Sequence, residues 1–128
     1  MTKEEKQLLL NDLCGRIPHS VKCQINIGDG DYYVDTLYLI TSDGCAYFLD
    51  DKDETEYVLV QHDIRPYLFP LSSMSEEQES DLNLYLRLDK EPIMRSVKEI
   101  DWYNKNYFDI HGLIPLGLAI DCTNLNIY

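Results

Sequence analysis

The chain has 128 residues and a mass of 15.0 kDa, enough for one domain, and 45% apolar with 27% charged residues is a globular rather than a disordered composition. Surface scaling buries about two-thirds of such a chain on folding, so its core needs no metal or disulfide staple. Acidic residues outnumber basic ones 23 to 11, and the net charge of −12 excludes general nucleic-acid binding, because a phosphate backbone is repelled by it.

The N-terminal segment predicts a helix over 3–14. Thr2 is placed to cap it with Glu5 three residues on, Leu9, Leu10 and Leu13 form its apolar stripe, and Gly15 is a natural stop. From Val21 the period changes to two. Val21, Cys23, Ile25 and Ile27 alternate with polar residues and predict a half-buried strand. Gly28 to Asp31 is a turn, 32–40 a second strand, Thr41 to Gly44 a hairpin turn, and 45–49 a third strand. An acidic loop from Asp50 to Glu54 leads to a fourth strand over 56–60, which completes a four-stranded antiparallel meander. The segment Arg65 to Leu71 carries Pro66 and Pro70 and is read as an extended crossing rather than an interior strand. Ser73 with Glu76 predicts a capped helix reaching about residue 88, although Leu82, Leu84, Leu86 and Leu88 also alternate at the strand period. A further helix fits 96–108, with Val97, Ile100, Tyr103, Asn104 and Tyr107 on one side and Trp102 beside them. A helical turn through Pro115 and a short last strand over 118–122 close the chain. The expected architecture is a single α+β domain over residues 1–128: an N-terminal helix, the four-stranded meander, two or three helices packed on one face, and a short C-terminal strand.

Two stretches carry a resemblance. Pro66-Tyr67-Leu68-Phe69-Pro70-Leu71-Ser72-Ser73-Met74-Ser75-Glu76-Glu77-Gln78 is similar to a motif of small proteins of gut Bacteroidetes and their phages. So is the tail Ile100-Asp101-Trp102-Tyr103-Asn104 with Phe108-Asp109-Ile110-His111-Gly112-Leu113-Ile114 and Gly117-Leu118-Ala119-Ile120. The two motifs cover roughly 35 residues in the same order. The resemblance implies a phage or mobile-element origin and a shared fold, without a mechanism. At Pro115-Leu116 the chain departs from the charged helix formers usual there.

No complete signal peptide or membrane span stands in the sequence, which points to the cytoplasm and to cysteines kept reduced. Cys14, His19 and Cys23 have the spacing C-x4-H-x3-C, with Cys45 or Cys122 as a fourth candidate, but the short paired spacing typical of zinc is absent. The four cysteines therefore read as core, with no metal and no cofactor expected. Asp51, Asp53 and Thr55 alternate like the start of a calcium loop, yet Glu56 and His62 stand where its glycine and glutamate belong. The glycine-flanked turn at Gly28 lacks a phosphate cradle's context, and none of His19, His62 and His111 sits in a catalytic signature, so no catalytic residue is assigned.

Charge is the most informative feature. Residues 49–82 hold ten acidic and two basic side chains, two-thirds of the net charge in a quarter of the chain. That predicts a non-enzymatic interaction domain whose acidic face (Asp50, Asp51, Asp53, Glu54, Glu76, Glu77 and Glu79, with Tyr57 as anchor) meets a protein with a basic surface. In its sharper form it inhibits a basic protein that handles nucleic acid. Neither direct nucleic-acid contact nor a membrane is expected. One alternative is a small-molecule binder or minor enzyme with a pocket between sheet and helices, lined by His62, Trp102, Tyr103 and His111. Another is an accessory protein that assembles with itself.

Overall fold

The computed structural model describes residues 2–49, 54–58 and 63–128, the 54–58 stretch by its backbone. Helix α1 spans Lys3–Arg16 and starts as its sequence dictates: the Glu5 amide donates to Thr2 Oγ1 at 3.1 Å, and the Thr2 amide donates to Glu5 Oε1 at 3.3 Å. It does not stop at Gly15. A Cβ there would lie 3.1 Å from Asn104 Nδ2, so this glycine is where a later helix approaches α1 rather than a cap. The residues α1 turns inward are Leu9, Asp12, Leu13 and Arg16, one stripe at i, i+3, i+4 and i+7.

Strands β1 (Lys22–Gly28), β2 (Asp31–Ile40), β3 (Cys45–Leu49) and β4 (Glu54–Val58) follow as consecutive antiparallel neighbours, each close to its expected span. The sheet goes beyond that meander. Strand β5 (Asp63–Leu68) runs antiparallel along the free edge of β1, and the two-residue β6 (Ile120–Asp121) runs parallel to β5, giving the order β4-β3-β2-β1-β5-β6 in a mixed sheet. The two prolines therefore did not keep this segment out of the sheet. Pro66 pairs with Cys23 on one side, while β6 accompanies β5 only at Tyr67 and Leu68. Beside Pro66 the outer edge of β5 is still open, the place where a residue without an N–H is tolerated.

Helix α2 (Glu76–Arg87) is capped by Ser75 and Gln78, not by Ser73, which belongs to the preceding 3-10 turn Leu71–Ser73. Its leucines follow the helical period: Leu82 and Leu86 are buried, whereas Leu84 and Leu88 are 61% and 84% exposed. Helix α3 (Pro92–Lys105) begins four residues before the expected start, because Glu91 caps it and Pro92 occupies the first turn, where its missing N–H costs nothing. Its buried residues are Trp102 and Asn104; on the side read from the sequence, Val97 and Ile100 are more than half exposed, whereas Tyr103 and, beyond the helix end, Tyr107 are partly buried. The closing strand shrinks from the expected 118–122 to β6.

One face of the sheet (Val21, Cys23, Ile25, Leu37, Ala46, Phe48, Ile64 and Leu68) packs against Leu9 and Leu13 of α1 and against Leu113, Leu118 and Ala119 of the C-terminal turns. Helices α2 and α3 do not join that layer as expected. They pack against each other around a second cluster of Leu82, Leu86, Trp102 and Phe108, with Phe69, Met74 and Tyr103 at its margin. The Trp102 and Phe108 rings stack 5.7 Å apart. Backbone bonds join the clusters: the Phe69 amide donates to Tyr107 O at 2.8 Å, and the Asp109 amide donates to Phe69 O at 2.9 Å. The Asp109 carboxylate then accepts from the Leu113 and Ile114 amides and fixes the turn that carries His111.

Candidate functional site

The polar residues of α1's inward stripe form an ion pair with both side chains fully buried. Arg16 Nε donates to Asp12 Oδ2 at 2.8 Å, and Arg16 Nη2 donates to Asp12 Oδ1 at 3.0 Å and to the Phe108 carbonyl at 2.6 Å. Such a pair repays its desolvation only through good geometry and added hydrogen bonds; the two-pronged contact and the Phe108 carbonyl supply these for Nε and Nη2, while Nη1 is buried without a partner among the described residues. His111 Nδ1 lies 2.8 Å from the same Asp12 Oδ1. An ionised carboxylate only accepts, so Nδ1 carries the proton; in the neutral ring, Nε2 then holds the lone pair. The α1 stripe, the end of the aromatic cluster and the 109–114 turn thus meet at one imidazole.

His111 is 38% exposed at its side chain and opens on a groove of about 360 Å³. Helix α3 lines it with Glu99, Ile100 and Tyr103, one helical turn of a single face, and Leu71 and Ile110 complete the wall with His111. The Tyr103 ring meets Trp102 and Phe108 edge to face at 5.7 and 6.3 Å, which fixes its plane. Partial burial pushes the Tyr103 hydroxyl above its ordinary range, and the negative charge of Glu99 adds to the effect. The groove therefore presents an imidazole nitrogen, a carboxylate and a phenol against apolar walls. None of its six lining residues is a Ser, Thr or Cys; the one hydroxyl they carry is the Tyr103 phenol.

Of the four residues expected around a pocket, Tyr103 and His111 share this groove. Trp102 does not: it lines a separate one of about 450 Å³ with Leu84, Tyr85 and Lys105. His62 lies outside the described residues. The two members that the sequence reading missed are Asp12 and Arg16. Their signal was present, since 9, 12, 13 and 16 are core positions of one helix face and two of them are opposite charges at i, i+4.

Of the expected acidic face, Glu76, Glu77 and Glu79 are exposed at the start of α2. Asp50, Asp51 and Asp53 lie outside the described residues. Glu54 and Tyr57 are described only as backbone in β4, where they pair with Leu49 and Ala46.

The cysteines do not converge. Cys14 is exposed on α1, Cys45 half-buried, and Cys23 and Cys122 buried in the core; among the described residues no group of three or more His, Cys, Asp or Glu is placed to hold a metal ion. His19 instead meets Asp101 at 3.1 Å. Burial pushes the Cys23 thiol far up and the Cys122 thiol up to about 11. No helix among the described residues is long and apolar enough to cross a membrane. No protein-family model, curated protein or solved structure matches the chain.

Proposed function

We propose that the chain is a small-ligand-binding domain of the cytoplasm whose working surface is the His111–Tyr103 groove. The carrying observation is the placement of His111: the buried Asp12–Arg16 pair holds one ring nitrogen of a residue that lines the groove. Orienting a polar group through a buried partner on a rigid helix is how binding sites keep their geometry, and apolar walls with a few polar groups are their usual composition. Binding is the reading favoured, since apolar walls with a few polar groups are what the groove offers. The test is a fragment screen read by amide chemical shifts. Hits should move Tyr103, Ile110 and His111 together, and His111→Phe should abolish those shifts while the fold persists. A screen whose hits all fall elsewhere would remove the proposal.

A second reading has its own observation, the exposed run Glu76, Glu77 and Glu79 in a segment holding two-thirds of the net charge. It is the acidic interaction domain of phage or mobile-element origin, meeting a basic protein and blocking its nucleic-acid surface. Reversing these three acids to Lys should slow association with such a partner and reduce its salt dependence, with little change in stability. Capture that ignores both salt and the reversals would dispose of it.

A further inference from the structure

Resting on the reading of the groove as a binding site, we infer that its ligand class is an organic ammonium: a protonated amine on a short aliphatic or aromatic stem. The groove's lining side chains offer mainly acceptors. Asp12 accepts from His111 Nδ1, so in the neutral ring the remaining nitrogen of this lining residue, Nε2, is an acceptor. The Glu99 carboxylate is a second acceptor. The Tyr103 hydroxyl is a third and, with the His111 Nδ1 proton committed to Asp12, is the remaining donor among the six lining side chains when the ring is neutral. An anion placed here would face a carboxylate and a lone pair with one donor to meet it. An ammonium brings three donors to three acceptors, and the carboxylate makes one of those bonds charge-assisted.

The surrounding charge agrees. The positive charge of Arg16 is already spent on Asp12, and Lys98, the cation next to Glu99 in sequence, is tied to Asp89 at 3.3 Å and lies over the Tyr85 ring. The wider surface is negative by twelve charges, which concentrates cations near it. The walls choose the stem: Leu71, Ile100 and Ile110 favour a body that is apolar and, at about 360 Å³, small. The same ammonium could arrive as a free amine or as a lysine side chain of a partner, and the two are separable by experiment.

The test uses the full chain and three probes of one shape: 2-phenylethylamine, the neutral 2-phenylethanol and the anionic phenylacetate. Amide shifts of Tyr103, Ile110 and His111 report occupancy. The amine is expected to bind at least about fivefold more tightly than the alcohol, with phenylacetate weakest, and Glu99→Gln should erase that preference while the alcohol still binds. A blocked lysine amide that matches the amine would keep the ammonium class and assign its source to a protein. If the alcohol or phenylacetate moves these amides as well as the amine does, the ammonium class is overturned and the groove reading stands. If none of the probes moves them, both fall together.

Discussion

Replacing Asp12 by Asn tests whether the buried pair organises the structure. The substitution keeps the shape of the side chain and removes its charge, leaving the Arg16 guanidinium fully buried without a counter-charge. Breaking one side of a buried pair in this way costs about 3–5 kcal/mol, a large share of the roughly 5–15 kcal/mol that holds a domain of this size. With a urea slope of about 1–3 kcal/mol per molar, the midpoint should fall by on the order of 2 M. The companion is the double replacement Asp12→Val with Arg16→Met, which removes both charges and roughly keeps the volume of the pair. Its principal losses are the bonds to the Phe108 carbonyl and to His111 Nδ1, each worth about 1 kcal/mol, so it should lie within about 2 kcal/mol of the parent. Equilibrium urea unfolding followed by Trp102 fluorescence measures both variants. A loss below about 1 kcal/mol for Asp12→Asn, or a double variant as damaged as the single one, would refute the reasoning.

Three further outcomes follow from the packing. Leu13→Ala, at a side chain with no exposure, should cost about 2–5 kcal/mol, whereas Leu88→Ala on the open side of α2 should stay within about 0.5 kcal/mol; thermal unfolding ranks them. Gly15→Ala should fail to deliver the roughly 1 kcal/mol that alanine gains over glycine inside a helix, because Asn104 Nδ2 stands 3.1 Å from the new Cβ, and the gain should return in an Asn104→Ala background. Stability should hold up to about pH 9 and then fall as pH rises toward 11: burial raises the folded-state pKa of the Cys122 thiol from 9.0 to about 11 and pushes the Cys23 thiol and the Tyr128 phenol further up, so deprotonation favours the unfolded chain. Urea titrations between pH 8 and 10.5 should show that slope, and Cys23→Ala with Cys122→Ala should flatten it.

Local signals in the sequence located most elements. The Thr2–Glu5 box started α1, and the alternation of Val21, Cys23 and Ile25 marked the inward face of β1, because each rests on neighbours in the chain. What could not be read locally depended on distant partners. Pro66 looks like a strand breaker until one knows that the outer edge beside it is open. Gly15 looks like a helix stop until Asn104 is placed against it. Val97 and Ile100 look like core because α3 is amphipathic, yet Trp102 and Asn104 are the residues it buries. Tyr103 and His111 were identifiable as site candidates by residue type, but Asp12, 99 positions from His111, becomes a partner only through the fold.

The hold of Asp12 on His111 requires the ring proton on Nδ1. Long-range ¹⁵N–¹H correlation of the His111 ring in the native protein reads this directly. The Nδ1–H form, with Nε2 showing the shift of an unprotonated nitrogen, is the predicted result, and Asp12→Asn should shift the ring toward a mixture. A native ring protonated at Nε2 and bare at Nδ1 would contradict the hold of Asp12 on His111, and with it the groove as a site built to accept.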